Sequence, residues 1–294
     1  MRLRRLLPVL TAFSLGVLAT ACGGDDDGGG SVADAAPPDA TPDPPRADAA
    51  PPTDARPADV TCVDEELPDT APDNVNVDGN VFTIDQLEPQ PVQGATVAAH
   101  AAADDPTDPA LDMDNTDAEG LFSITAATGG VPSDAYLYAT KNGFLPTRLF
   151  PPLPVASDIP MAPIPLITTD LLNTLMLFTA GLDQDPEKGI LVVIVADCED
   201  QPAAGATVSL SPAGGDIIYA NAMGLPDTDR TTTSDQGLVF IFNAPTGAVT
   251  VDAEVGGESL HEHVVTVVGG AAEDTEYDGE ITATAIQPHG AANL

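Results

Sequence analysis

The chain has 294 residues, with 46 acidic and 9 basic side chains and a formal net charge of −37 at pH 7. Such a chain repels the phosphates of nucleic acids and of anionic lipid headgroups, so we expect no nucleic acid partner. The length allows two domains of ordinary size.

The N-terminus has the pattern of an export signal. Arg2, Arg4 and Arg5 precede an apolar stretch at 6–19 that is too short to span a bilayer. We therefore expect residues 1–21 to be a signal peptide that is absent from the mature protein, and removal of these arginines makes the mature chain more acidic still.

The sequence Leu-Ala-Thr-Ala-Cys at 18–22 resembles the lipobox of bacterial lipoproteins. The resemblance implies that Cys22 is acylated after cleavage and anchors the protein in the bacterial cell envelope. Several acyl chains on one residue give a stable anchor, which a single chain does not. Gly23 stands where Asp would favour inner-membrane retention, so the resemblance implies the outer membrane. An ordinary secreted protein with a chance cysteine is the alternative.

Residues 22–73 form a low-complexity tether rich in Asp, Ala, Pro and Gly. With almost no large apolar side chains, this stretch cannot bury enough surface to offset the entropy of ordering, so we expect it to be disordered. Proline and like charges stiffen it, and at about 3 Å per residue it reaches about 150 Å. Its length would lift the following domains off a membrane.

Two short motifs recur about one hundred residues apart. Pro-x-x-Gly-Ala-Thr-Val occurs at 91–97 and 202–208, and an Asp-Gly turn followed by apolar residues occurs at 116–122 and 234–239. In each motif Gly supplies a backbone angle that β-branched residues avoid, and the residues that follow form a strand. A repeat of this period predicts two copies of one small β domain.

These motifs resemble the carboxypeptidase regulatory-like family, whose members are small transthyretin-like β-sandwiches. The resemblance implies an all-β fold with two tandem Greek-key β-sandwiches, and related sandwiches are grouped with carbohydrate-binding folds. The zinc-binding His-x-x-Glu segment of the peptidases that often accompany this module is absent from the sequence. The expected domains are sandwich 1 at 74–167, a linking helix and loop at 168–188, sandwich 2 at 189–287 and a tail at 288–294.

The two copies differ in their apolar pattern. In the first copy, Phe122, Ile124 and Ala126 alternate with polar residues, as in a strand with one buried face. In the second copy, 190–195 and 239–242 are apolar on both faces, so another element must cover the second face.

A helix is predicted between the copies, at 171–180, with Thr168-Thr169-Asp170 as its N-terminal cap and Gly181 as its stop. Its apolar composition predicts burial on most sides, either across the second domain or between the two domains. The alternative is an exposed apolar patch for a partner.

Cys62 and Cys198 remain after Cys22 is assigned to lipid. Leftover cysteines in an exported protein often pair, so a disulfide would fasten the end of the tether to the second domain. Two independent thiols are the alternative, because the sequence does not show whether the residues are close in space.

Candidate metal ligands are sparse, and we expect no cofactor. Asp112, Asp114, Asp117 and Glu119 could offer oxygens to Ca²⁺, but the EF-hand glycine is missing and acidic loops are common in this chain. His261 and His263 alternate on a predicted strand and could share a metal, although a site needs further ligands. A solvated strand face is the simpler interpretation.

Tyr136 and Tyr138 also alternate on a strand and could form a stacking platform for sugars. The alternative is core packing, since the chain has no Trp and few aromatic residues.

The sequence therefore predicts a non-enzymatic envelope lipoprotein that acts as a structural, adhesive or ligand-presenting module. Its partners would be the membrane, through the lipid, and an envelope polysaccharide or protein. A glycan-binding surface protein is the second interpretation, and a metal-dependent enzyme is the third.

Overall fold

The computed structural model describes residues 57–85, 88–271 and 277–288. The predictions for Cys22, the signal peptide and most of the tether lie outside the described residues.

The described chain is almost entirely β structure, which confirms the predicted all-β fold class. It forms seventeen strands and one short α-helix: β1 Asn74–Asp85, β2 Glu88–Pro91, β3 Thr96–Ala101, β4 Asp112–Asn115, β5 Leu121–Ala127, β6 Ala135–Thr140, β7 Thr147–Phe150, β8 Ile159–Pro165, α1 Thr169–Met176, β9 Gly189–Val195, β10 Thr207–Ser211, β11 Asp216–Ala220, β12 Pro226–Asp227, β13 Leu238–Ala244, β14 Gly247–Val255, β15 Glu258–Ser259, β16 His263–Val267 and β17 Ile281–Ile286.

The strands form three sheets. A nine-stranded central sheet has the order β12-β11-β13-β9-β17-β7-β6-β3-β4. The first outer sheet contains β1, β2, β5 and β8, and the second outer sheet contains β10, β14, β15 and β16. The central sheet therefore contains strands from both predicted sandwiches, whose boundaries stay a prediction.

The two repeats make the same hydrogen bonds around their shared motifs. Val81 N–H donates to the carbonyl of Gly120, and Val195 N–H donates to that of Gly237, both at 2.8 Å. A Cβ on Gly120 would lie 2.6 Å from the carbonyl oxygen of Val81, and a Cβ on Gly237 would lie 2.4 Å from that of Val195. Only glycine permits this close approach, which explains why both copies have the Asp-Gly turn.

Strand β17 joins the repeats because it pairs in parallel with β7 on one side and β9 on the other. The same arrangement occurs in both repeats: the last strand pairs in parallel with the first strand, β8 with β1 in the first repeat and β17 with β9 in the second. One sheet of the first repeat is thus continuous with one sheet of the second.

The register of the central sheet defines two faces. We call one the Leu137 face, because cross-strand partners share a face and Leu137, Leu149, Ala283, Val192 and Phe240 are successive partners. We call the other the Tyr136 face; it carries the successive partners Tyr138, Arg148, Thr282, Leu191 and Ile241.

The outer sheets cover opposite faces. The first outer sheet packs on the Leu137 face at β3 and β6, where Leu137 shares a core with Val77 and Ile124. The second outer sheet packs on the Tyr136 face at β9 and β13, where Leu191 shares a core with Val249. The central sheet is covered on both sides at β9 and β13. This cover explains why these strands of the second copy are apolar on both faces.

Helix α1 provides that second cover. Leu172 lies in a third core with Ile190 and Phe240 on the Leu137 face, which agrees with the prediction that the helix packs across the second repeat.

The prediction of burial on most sides was wrong. Leu172 is the one buried residue of α1, whereas Leu177 and Phe178, just after it, are 80% and 45% exposed. The helix is also shorter than predicted: Thr168 caps its start by accepting from Leu171 N–H, and the helix ends at Met176, whose carbonyl accepts from the Thr179 hydroxyl at 2.7 Å. Early termination leaves the following apolar residues outside the packed face.

The parallel strands β7, β9 and β17 give the central sheet two distinct ends. We call the end where β9 and β17 finish, near Cys198 and Gln287, the disulfide end. We call the end where they begin, near Gly189, the groove end, because a groove lined by Thr96 and Thr140 lies there. Because β6 is antiparallel to β7 and β3 is antiparallel to β6, Thr140 and Thr96 also lie at the groove end.

Candidate functional site

A disulfide fastens the start of the described chain to the second repeat. Cys62 and Cys198 are joined with a Cα–Cα distance of 5.9 Å. Cys198 N–H also donates to the Asp59 carbonyl at 2.8 Å. The chain between the two cysteines is closed into a covalent loop, and the first repeat lies within that loop.

A buried carboxylate organises the same junction. Asp197 is fully buried, and its Oδ1 accepts from Glu199 N–H at 2.9 Å and Gln201 N–H at 3.1 Å. Its Oδ2 accepts from Asp59 N–H at 3.2 Å. Backbone N–H bonds of this kind offset the loss of hydration of a buried charge, so Asp197 holds the segment beside the disulfide in place.

Asp200 lies in the same turn with a left-handed backbone, φ 56°. Burial, and then the charge of Asp197, raise the pKa of Asp200 to about 6. Its buried Oδ1 has no hydrogen-bond partner among the described residues. The ionised form of Asp200 therefore lowers the stability of the folded state at the disulfide end.

A charged cluster lies where the two repeats meet on the Tyr136 face. Arg148 Nε contacts the carboxylate of Glu280 in a nearly buried ion pair. The guanidinium carbon also lies 5.2 Å from the ring centroid of Tyr136 and 5.6 Å from that of Tyr138. Cation–π contacts of this type strengthen when water is excluded.

Glu280 is shared between strands from the two repeats. It accepts a hydrogen bond of 3.0 Å from the Tyr138 hydroxyl while paired with Arg148, and it directly precedes β17. Burial, together with Glu280, raises the pKa of Tyr138, so its hydroxyl stays protonated as a donor. Burial alone would lower the pKa of Arg148, but the bond to Glu280 raises it.

Both tyrosines pack against other side chains. Tyr136 is 1% exposed and stacks between His100 and Phe150, with ring centroids 5.3 and 5.2 Å away. Tyr138 is half-buried beneath Arg148. This burial argues against the sugar platform and favours the alternative interpretation, core packing.

One member of the predicted histidine pair, His263, has structural contacts of its own. The ring of His263 turns toward the interior, where Nδ1 lies 2.9 Å from Thr284 Oγ1 and the ring meets Phe150 edge-on at 6.1 Å. Burial, followed by the charge of His261, lowers the pKa of His263 to about 4. Among the described residues there is no group of three or more His, Cys, Asp or Glu side chains that could hold a metal ion.

The candidate calcium ligands instead cover the edge of a strand. Asp112 Oδ2 accepts from Thr125 N–H, and Asp114 Oδ2 accepts from Ser123 N–H, both at 2.9 Å. Asp117 Oδ1 accepts from Leu121 N–H at 2.8 Å and also from Glu119 N–H at 3.0 Å. The three carboxylates thus satisfy alternate outward N–H groups along the edge of β5, while Glu119 contributes its backbone.

Sequence reasoning missed a pair of buried threonines. Thr116 Oγ1 donates to the Val92 carbonyl and accepts from Ala95 N–H, and Thr233 Oγ1 makes the same two bonds with Ala203 and Ala206. The motif ranges 116–122 and 234–239 place Thr116 opposite Ser234 instead. The spacing Thr-x-x-x-Gly is nevertheless the same in both copies, since Thr116 lies four residues before Gly120 and Thr233 four before Gly237, and this was the sequence signal for the pair.

The described residues include no helix long and apolar enough to cross a membrane.

No protein-family model and no curated protein sequence matches the chain. Among solved structures, the Bacillus anthracis TIE protein matches at 11% identity and a TM-score of 0.22, with 72% of this chain and 34% of that one covered. The minor pilin GBS52 of Streptococcus agalactiae matches at 13% identity and a TM-score of 0.22, covering 73% and 96%. The major pilin RrgB of Streptococcus pneumoniae matches at 10% identity and a TM-score of 0.22, covering 75% and 49%.

This chain therefore spans about one third of the TIE chain and half of the RrgB chain. At these TM-scores most of the backbone does not superpose, so the matches assign neither a family nor a function. The resemblance to the carboxypeptidase regulatory-like family stays a prediction.

Proposed function

We propose that this protein is a non-enzymatic structural or adhesive module of the bacterial envelope, anchored through an acylated Cys22 and carried on an acidic spacer. The observation that carries the proposal is the central sheet, in which β17 joins strands of both repeats into one continuous body. A body of this kind transmits position and load without relying on a flexible linker between its halves.

The disulfide end supports the same function. The described residues begin there, at 57–62, and the backbone carbonyl of Gln287, near the last described residue, accepts from His261 N–H at the same place. A body attached at one end presents its opposite end to the surroundings. The groove end is therefore the surface that a tethered protein would offer to a partner.

The residues considered for chemistry support a non-enzymatic role through the contacts they make. His263 packs against Phe150, and Asp112 and Asp114 bind backbone N–H groups of β5. Each of these groups has a structural explanation that requires no reaction.

Fatty-acid labelling tests the anchor directly. The full-length protein, expressed in a bacterium with a lipoprotein pathway and fed an alkyne-tagged palmitate, is expected to take up label and to fractionate with the outer membrane. Cys22→Ala should abolish both, whereas Cys62→Ala should leave the label intact. Label that persists in Cys22→Ala, or wild-type protein found wholly in the soluble fraction, would rule out the proposed anchor.

A further inference from the structure

An open groove lies at the groove end between two turns. It has a volume of about 600 Å³ and is lined by Gly94, Thr96, Thr140, Lys141, Asn142, Gly143, Phe144 and Pro146. This volume lies within the range of about 300–1,000 Å³ typical of small-molecule sites.

Rigid strands hold the walls of the groove. Thr96 and Thr140 are cross-strand partners at the ends of β3 and β6. The turn that follows β6 is closed by Phe144 N–H donating to the Lys141 carbonyl at 3.1 Å. Sites built on strand ends keep their geometry better than sites on long loops.

The groove end carries the lysines of this strongly acidic molecule. The chain has two lysines, Lys141 in the groove and Lys188 directly before β9, and both lie at the groove end. Of the described arginines, Arg148 is paired with Glu280, and Arg230 donates to the carbonyls of Thr232 and Thr233. Lys141 Nζ, in contact with the Gln93 carbonyl, is thus the cation that a ligand in the groove would meet.

The remaining lining suits a hydroxylated ligand. Thr140 and Asn142 offer a hydroxyl and an amide, and Thr96 Oγ1, which donates to Asn115 Oδ1 at 3.0 Å, keeps its accepting lone pair. Phe144 packs on the core that contains Leu137 and Ile124 yet remains partly exposed, so its ring offers an apolar surface to the C–H face of a sugar.

We propose that this groove binds an acidic saccharide, with Lys141 pairing with a uronic acid carboxylate and Phe144 packing against the sugar ring. The inference deepens the proposed function, since it rests on that function for the ligand's place in the envelope. Binding itself does not require the anchor, so the two ideas fail separately.

The test uses the mature chain, with its disulfide intact, in titration calorimetry or NMR at 0.15 M salt, where long-range repulsion by the acidic surface is screened within about 8 Å. The probe is an oligomer of galacturonic acid, and its methyl ester is the matched uncharged probe. We expect saturable binding of the acid and about tenfold weaker binding of the ester, because a charge-assisted hydrogen bond is lost.

Two variants separate the groove from general electrostatics. Lys141→Gln should weaken binding of the acid about tenfold, whereas Lys188→Gln, which removes the same charge outside the groove, should leave it unchanged. Phe144→Leu, which keeps an apolar packing residue, should weaken the binding of both probes. Thermal unfolding of each variant verifies that it is folded.

The proposal is overturned if the wild-type protein shows no saturable binding at millimolar probe. It is equally overturned if Lys188→Gln weakens binding as much as Lys141→Gln does, since attraction would then be non-specific. Preferential binding of a polyglutamate peptide would show that the groove takes acidic peptides instead.

Discussion

At the residue scale, the surroundings of each aspartate determine what it does. Asp197 is fully buried, yet it is satisfied by three backbone N–H groups. Asp200, in the same turn, has a raised pKa of about 6, caused by burial and then by Asp197. Their spacing in sequence indicates a turn, but it does not show that the N–H of the distant residue Asp59 donates to Asp197.

Asp200→Asn is expected to stabilise the protein at pH 7 and above. The folded state binds the Asp200 proton more tightly than the unfolded chain does, so ionisation costs stability above about pH 6 and the cost disappears as the pH falls toward 4. Asn also tolerates the left-handed backbone. Because Asp200 is partly exposed, we expect a gain of about 1 kcal/mol.

Urea unfolding at pH 7.5 and pH 4 measures this effect, with the exposed turn residue changed in Asp235→Asn as control. The gain should be present at pH 7.5 and absent at pH 4. A gain of equal size at both pH values would show that the effect is not ionisation.

The Arg148–Glu280 pair makes a second residue-scale prediction. Arg148→Met should destabilise the protein by about 3 kcal/mol, because it leaves the carboxylate of Glu280 with little water and no cation. The double variant Arg148→Met/Glu280→Gln should recover much of that loss. Guanidinium unfolding of the single and double variants measures the coupling, and additive losses would contradict it.

At the element scale, both exposed edges of the first outer sheet are protected. Along β5, Asp112, Asp114 and Asp117 bind the outward N–H groups. On the other side, β8 carries Pro163 and Pro165, which have no N–H to donate. Open strand edges pair with other chains, so both devices oppose aggregation.

Removal of two of these carboxylates tests the protection of β5. Asp112→Ala/Asp114→Ala should lower the free energy of unfolding by about 2 kcal/mol and increase light scattering on mild heating, because two N–H groups lose their acceptors. Asp112→Asn/Asp114→Asn retains an acceptor oxygen at each position and should stay close to wild type. Equal solubility and stability of the two double variants would contradict the assigned role.

Local elements were largely predictable from the sequence, whereas their long-range arrangement was not. Alternation at 121–127 predicted the face that β5 buries, and the apolar pattern of β9 predicted cover on both sides. Insertion of β17 between β7 and β9 was not predictable, because Ile-Thr-Ala-Thr-Ala-Ile suits many buried strands and carries no signal for its neighbours. The groove was missed for the same reason, since it forms only when the two turns meet.

At the scale of the whole molecule, the disulfide closes a loop with a sequence separation of 136. Closing a long loop restricts the unfolded chain, and a typical contribution is about 2–4 kcal/mol. Cys62→Ser/Cys198→Ser should lower the free energy of unfolding by that amount, measured in guanidinium. Thiol reduction of the wild-type protein should give a similar loss, and an unchanged midpoint in both would contradict a structural role for the bond.

The continuity of the central sheet is the claim on which the proposed rigid module depends. Amide hydrogen exchange, followed by NMR on the mature protein, tests it most directly. The account predicts that the hydrogen-bonded amides of β7, β9 and β17 exchange with one shared opening free energy, close to that of global unfolding. Amides of β17 that exchange far faster than those of both neighbours, or separate opening free energies for β7 and β9, would show two independent domains and contradict the account.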